Sequence, residues 1–243
     1  MDNILIIGAS SGIGAALAQA LARPGRTLAL VARRHEALAM VAEQVRALGG
    51  QAIPLACDVT DDQQVEFTWN QLRSLLPGLD TVVYCSGIMP DVGPDEFDSV
   101  KDRVIVETNL IGAMAWLNRA ATLFLSLGRG TLCAVGSVAG DRGRRPGPAY
   151  GASKAALHTY MESLYNRLYV RGIRVVTIKP GPIDTPMARG KAKGALFPVD
   201  LAAKRIARAI ERGEREVYVP AKWAWIMGVI RLIPPTVFRR LSI

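Results

Sequence analysis

Short, unbroken apolar runs that alternate with longer amphipathic ones predict an α/β chain, a doubly wound parallel sheet with helices on both faces. Three observations carry that prediction. The strand-like runs lack in/out alternation, as strands covered on both faces require. Strand and helix signals follow each other repeatedly with short loops, the order that right-handed β–α–β crossovers demand. Finally, the 243 residues are half hydrophobic and show no repeat, low-complexity tract or dividing linker, so 1–243 reads as one domain.

In chain order, the strand-like runs are NILIIG (3–8), TLALVA (27–32), QAIPLAC (51–57), TVVYCS (81–86), GTLCAVG (130–136) and IRVVTIKP (173–180). Amphipathic, helix-like segments fill the intervals near 13–22, 35–48, 61–75, 97–127, 149–171 and 199–212. A last short strand, EVYVP (216–220), precedes a hydrophobic and basic C-terminal segment, 221–243.

Composition narrows the partners. The net charge is +9 and the pI about 9.8, but the cations are dispersed and aromatics make up only 6% of residues. With no basic recognition helix and no set of stacking rings, nucleic acid is not the expected partner, and an anionic small molecule is. No stretch reaches the roughly 18 uncharged apolar residues of a bilayer span. The opening MDNILIIG, with its early Asp2, does not read as a signal peptide. Cys57, Cys85 and Cys133 are odd in number and lie in strand-like runs, so buried reduced thiols are expected, with no metal site and a cytoplasmic setting.

The stretch GASSGIG (8–14) admits two readings. Gly8 to Gly12 fits G-x-S-x-G, the turn that presents a serine nucleophile. Gly8, Gly12 and Gly14 also form a loop able to cradle a pyrophosphate at a helix N-terminus. Context favours the cradle, because the stretch follows the first strand directly and the only histidines, His35 and His158, read as the opening of a charged helix and a packed helix position. At the end of the second strand, where an acid would hold the ribose hydroxyls of NAD, the chain has Arg33 and Arg34. Guanidinium groups suit a 2′-phosphate, so NADP(H) is the expected cofactor.

Chemistry is suggested by YGASK (150–154). Tyr150 and Lys154 are four apart and share a helix face. An ammonium about 4 Å from a phenolate, at an effective dielectric of about 20, attracts it by at most about 4 kcal/mol, enough to bring a tyrosine towards useful proton transfer. Ser137, thirteen residues earlier and just beyond a buried strand, could hydrogen-bond a substrate carbonyl, although a serine at a loop start also caps its own backbone.

GASSGIG, CDVTD (57–61), TNLIG (108–112), GSVAG (136–140), YGASK and KPGPIDTPM (179–187) occur in the order and spacing of the short-chain dehydrogenases/reductases, which the chain resembles over about residues 3 to 220. The resemblance implies a Rossmann-like fold, an NADP(H)-dependent oxidoreductase and a homodimer or homotetramer. It implies that Tyr150 is the general acid for carbonyl reduction, that Lys154 lowers its pKa and binds the nicotinamide ribose, and that Ser137 holds the carbonyl oxygen. It implies that Asn109 anchors a water relaying protons through Lys154. On the cofactor side it assigns Gly8, Ser10, Ser11, Gly12, Ile13 and Gly14 of the first loop, and places Asp58 and Val59 near the adenine. It adds Ser86 and Gly87 after the fourth strand, and Pro180, Gly181, Ile183 and Thr185 near the nicotinamide carboxamide and phosphate. Two positions depart from the family pattern: Ile7 stands where Thr is usual, and Tyr84-Cys85-Ser86-Gly87 stands where N-N-A-G is usual.

The expected activity is reversible reduction of a ketone or aldehyde, hydrophobic or acyl, such as a 3-oxoacyl thioester; a cofactor-binding sensor without turnover is the alternative. Residues 187–198 suit a lid over the substrate, and Arg142, Arg144 and Arg145 suit either an acyl carrier's phosphate or solvent. The C-terminal KWAWIMGVIRLIPPTVFRRLSI suits a peripheral membrane contact, a partner subunit or the substrate cleft.

Overall fold

The computed structural model describes residues 2–190 and 194–241. Seven strands form one parallel sheet: β1 (Asn3–Ile7), β2 (Thr27–Ala32), β3 (Gln51–Ala56), β4 (Thr81–Tyr84), β5 (Gly130–Val135), β6 (Ile173–Pro180) and β7 (Glu216–Val219), in the order β3-β2-β1-β4-β5-β6-β7. Pro54 in β3 lacks an N–H to donate, and β3 is an edge strand where that omission is tolerated.

Successive residues of the inner strands feed opposite faces. Leu5, Ile7, Ala29, Val31, Val82 and Tyr84 point into one core layer, and Ile4, Ile6, Leu28, Leu30 and Val83 into the other. The first layer is closed by α3 (Asp62–Leu75), α5 (Gly112–Leu127) and α6 (Pro148–Leu168), the second by α1 (Gly12–Leu21), α2 (His35–Ala47) and α7 (Val199–Arg212). Burial on both faces is why the strand runs show no alternation. Asp61 starts α3 by accepting the N–H groups of Gln63 and Gln64, and Asp98 starts α4 (Ser99–Val106) through Val100 and Lys101.

The segment 97–127 differs from the single helix expected. A π-helical turn, Glu107–Ile111, separates α4 from α5 and widens the backbone at TNLIG, turning Asn109 fully inward. Taken together, Ser99–Leu127 is long and apolar enough to cross a bilayer, yet Trp116, Leu117, Ala120 and Phe124 pack into the core. The expected helix 149–171 ends at Leu168 and continues as a 3₁₀ turn through Tyr169–Arg171. After β7, the C-terminal segment forms α8 (Lys222–Leu232) and the short α9 (Pro235–Phe238).

Strand order reverses between β1 and β4, so the loops after these two strands flank the crevice where a doubly wound sheet binds ligands.

Candidate active site

The glycine loop is shaped by its neighbours. Gly8 has φ +88°, and a Cβ there would lie 2.5 Å from the Ser86 nitrogen, so the β1 and β4 loops meet backbone to backbone. Gly14 faces the Gly8 carbonyl with no room for a side chain, which draws the start of α1 onto the strand end. Gly12, at φ +55°, lies under the methyl group of Thr185, bringing the PGPIDT segment to the same loop. Ser11 occupies the N-cap position of α1 without using its hydroxyl as a cap. Ile13 is part-buried against the core.

The two arginines divide their work. Arg34 Nη2 donates to Ser10 Oγ at 3.1 Å and to Ser11 Oγ at 2.8 Å, fastening the end of β2 to the glycine loop. Arg33 is 64% exposed and reaches Asp58 Oδ2 at 3.6 Å, leaving most of its guanidinium open over the ends of β2 and β3. Asp58 Oδ1 accepts the N–H and the hydroxyl of Thr60, which orients its carboxylate. The Val59 side chain is buried in the core against Gly112, so only its backbone is placed to meet a ligand. A helix N-terminus stripped of side-chain bulk fits the pyrophosphate of a nicotinamide dinucleotide.

Ser137, Tyr150, Lys154 and Asn109 converge on one site. Ser137 stands beyond β5, and its Oγ accepts the Ala139 N–H at 3.1 Å; this is the capping role noted from the sequence. Its hydroxyl also stands close enough to the Tyr150 phenol to favour the phenolate. Burial pushes the Tyr150 phenol above its ordinary pKa, against the lowering effects of the nearby Ser137 hydroxyl and the Arg144 charge. Lys154 is buried, its Nζ donates to the Val135 carbonyl at 3.0 Å, and it lies 5.9 Å from the Tyr150 ring centroid. Burial brings its pKa down to about 8. In this arrangement burial governs both groups, in place of the short tyrosine–lysine attraction that spacing alone suggested.

Gly87 separates Lys154 from Asn109: a Cβ on it would lie 3.3 Å from Lys154 Nζ and 3.2 Å from Asn109 Oδ1. The Asn109 amide is occupied by protein. Oδ1 accepts the Ile88 N–H at 2.7 Å, and Nδ2 donates to the Ile88 carbonyl at 3.0 Å and to Ser153 Oγ at 3.1 Å. Tyr84, at the first position of the altered N-N-A-G stretch, donates its hydroxyl to the Thr108 carbonyl at 2.6 Å. The β4 loop is therefore braced from the π-helical turn instead of by its own asparagines. Cys85 beside it is a free thiol that burial pushes up to about 12.

Three contributors lay outside the sequence reading. Ser153 Oγ donates to the Tyr150 carbonyl at 2.8 Å and accepts from Asn109, joining α6 to the π-helical turn. His158 does pack within a helix, as expected, but its Nε2 also accepts the Ser137 N–H at 3.4 Å, with Nδ1 3.6 Å from Asp141. Burial drives its pKa down to about 3, so the ring is neutral beneath the Ser137 loop. Asp141 is held in turn by Lys179 at 3.0 Å and the Tyr218 hydroxyl at 2.8 Å. No spacing rule points to these partners, which arrive from α6, β6 and β7.

The PGPIDT segment also has structural duties. Gly181 faces the Trp223 indole, and the backbone of Pro182–Asp184 is bridged to Phe197. Ile183 and Thr185 are buried, and Pro180 closes β6. Of the expected lid 187–198, residues 191–193 lie outside the described residues. The arginine loop differs from the expectation of a carrier site: Arg142 donates to the carbonyls of Ile230 and Arg231 at 3.2 and 2.9 Å, and Arg145 to that of Arg239 at 2.6 Å. Two of its three cations are thus spent on the C-terminal segment.

Comparison with known proteins agrees with this geometry. The family model described as short chain dehydrogenase matches residues 2–195. An uncharacterized oxidoreductase of Mycobacterium tuberculosis is 35% identical over 99% of this chain and 97% of its own. A short-chain type dehydrogenase/reductase from Mycobacterium marinum superposes with a TM-score of 0.83 at 26% identity, covering 91% of this chain and 95% of that one. A 3-oxoacyl-[acyl-carrier protein] reductase from Brucella melitensis does so with a TM-score of 0.79 at 28% identity, over 90% and 89%. The chain belongs to the short-chain dehydrogenase family and is an oxidoreductase on its Rossmann-like fold.

Proposed function

We propose that the protein is an NADPH-dependent reductase of a ketone or aldehyde, working reversibly on the alcohol, with a hydrophobic or acyl compound as substrate. The observation that carries this reading is the convergence of Ser137 and Tyr150 with the buried Lys154, whose Nζ lies 5.9 Å from the Tyr150 ring centroid. Residues 1–130 then hold most of the cofactor and 131–220 the catalytic and substrate side.

The bound nicotinamide supplies the hydride. Tyr150 gives its phenolic proton to the carbonyl oxygen as charge develops there. Its raised pKa keeps the phenol protonated at neutral pH, ready to act as the acid. Ser137 Oγ accepts from Ala139, so its proton can turn from the Tyr150 side towards the same substrate oxygen. Lys154, at a pKa of about 8, remains mostly charged at pH 7 and stabilises the phenolate left behind. With one of its three N–H donors on Val135, two are available to ribose hydroxyls. Asn109 acts on this set through its hold on the β4 loop, and the second lone pair of Oδ1 is the place for the expected water.

NADPH is favoured over NADH because the end of β2 offers Arg33 where a carboxylate would be needed for a 2′-hydroxyl. Within the acyl class, support for a 3-oxoacyl thioester is the 28% identity to the Brucella melitensis reductase, together with Arg144, the one arginine of its loop not bonded to the C-terminal segment in the contacts above. A homodimer or homotetramer is supported by the exposed Phe97, Val100, Val104 and Ile111 on and around α4. The free thiols Cys57, Cys85 and Cys133 suit a reducing, cytoplasmic setting.

The test follows NADPH absorbance against a carbonyl panel, from small diketones to long-chain 3-oxoacyl thioesters and ketolipids, with Tyr150→Phe and NADH in parallel. Turnover that requires Tyr150 and prefers NADPH is expected. Tight NADPH binding with no carbonyl reduced anywhere on the panel would transfer support to a cofactor-binding sensor.

A further inference from the structure

The C-terminal helix α8 has two apolar sides. Met227 is buried, and Trp223 packs over Gly181 of the PGPIDT segment, fixing one side to the body of the protein. On the other side Trp225 is 82% exposed, Val229 64% and Leu232 83%, with Ile226 at their margin. These positions are three and four apart and form one outward stripe. Past Glu216 the sequence has no acidic residue, but it has Lys222, Arg231, Arg239 and Arg240. All four are exposed; Lys222 shares the face of the stripe, whereas Arg231 lies one turn from the buried Met227 on the side towards the body.

We propose that this outer face of α8 docks on an anionic lipid surface. An exposed tryptophan with aliphatic neighbours, in a segment whose own charges are all cationic, matches the boundary between acyl chains and acidic headgroups. Eleven residues at about 1.5 Å each give a helix of roughly 16 Å, which lies along the interface and does not cross it. A second copy of the chain fits less well. An isologous contact would bring two cationic segments together, with no acid from either segment between them.

The helix is tied to the active site. Arg142, five residues beyond Ser137, donates to the Ile230 and Arg231 carbonyls and lies 4.5 Å from the centroid of the Phe238 ring. Docking therefore holds the loop between Ser137 and Tyr150 at the lipid surface. Delivery of a hydrophobic carbonyl compound from that surface rests on the reductase reading; the docking does not.

The test floats the full chain with vesicles of phosphatidylcholine alone or mixed with phosphatidylglycerol. Flotation is expected only with the anionic vesicles, accompanied by a blue shift in tryptophan emission and reversed by high salt. Trp225→Ser combined with Leu232→Ser should abolish flotation while keeping the parent unfolding midpoint, since both side chains are exposed. Arg239→Gln with Arg240→Gln should weaken partitioning by about 25-fold, at about fivefold per cation. Absence of flotation with anionic vesicles, or undiminished flotation of the Trp225/Leu232 variant, overturns the proposal. A fall in that variant's oligomeric mass by light scattering also overturns it, assigning the face to a second copy. A chain that floats but reduces no carbonyl would refute the reductase reading alone, and a reductase that never floats would refute the docking alone.

Discussion

Asn109 grips Ile88 by both backbone groups, accepting its N–H at 2.7 Å and donating to its carbonyl at 3.0 Å. This pair of bonds fixes the loop after β4 against the π-helical turn and keeps Gly87 between Asn109 and Lys154. Asn109→Ala would leave the Ile88 N–H without its partner in a part-buried setting, at a cost of about 1–3 kcal/mol, with a further loss from the Ser153 bond. Urea unfolding should show a clearly lower midpoint, and NADPH titration a weaker Kd. A variant with the parent midpoint would mean that the loop does not depend on this clamp.

Lys154 is more easily deprotonated in the folded chain than in the unfolded one, its pKa falling from 10.5 to about 8 through burial. Between those values the unfolded chain holds the extra proton, so stability rises with pH across that window. Below about pH 8 the full cost of the buried charge is present. Lys154→Met should therefore be more stable than the parent at pH 7 by about 2 kcal/mol after loss of the Val135 hydrogen bond, while losing turnover. The difference should shrink as pH approaches 10.5. Unfolding curves at several pH values check this, and a less stable variant at pH 7 would contradict it.

Arg33 is the residue on which cofactor choice is staked. Arg33→Ser should weaken NADPH binding by about 10–100-fold, the value of one or two charge-assisted bonds, and leave NADH nearly unchanged. Fluorescence titration with both nucleotides decides it. Equal losses for the two would show that the guanidinium serves the loop and not a 2′-phosphate.

His158 supports the Ser137 backbone from beneath, between Gly136 and Gly140, which leave space for its ring. His158→Phe removes the acceptor for the Ser137 N–H and should cost about 1–3 kcal/mol of stability. Because burial holds the ring neutral down to about pH 3, His158 should add no ionisation to a pH–rate profile between 5 and 8. An inflection in that range that vanishes in His158→Phe would refute the neutral ring.

The order of elements was legible because hydrophobic pattern is a local property. Runs such as NILIIG and TLALVA carry their double burial in every residue, and their strands formed where expected. Tyr150 and Lys154 could be paired because helical spacing turns a sequence interval into a distance. The π-helical turn within 97–127 could not be foreseen, since it is one residue of extra winding whose freed Thr108 carbonyl is satisfied by Tyr84, 24 positions away. Likewise, the arginines beyond Ser137 look alike in sequence, and only folding shows that Arg142 and Arg145 spend their donors on the C-terminal segment.

The chain's own order of residues determined the parallel sheet, the glycine-lined loop, the arginine pair at the end of β2 and the family to which the protein belongs. Periodicity, backbone freedom and side-chain chemistry express those features within a few residues. Tertiary structure alone decided what braces the β4 loop, why Lys154 and His158 lose basicity, and which side of α8 is left bare. Those outcomes depend on burial and on partners brought together across the sheet, and neither is a property of any single stretch of sequence.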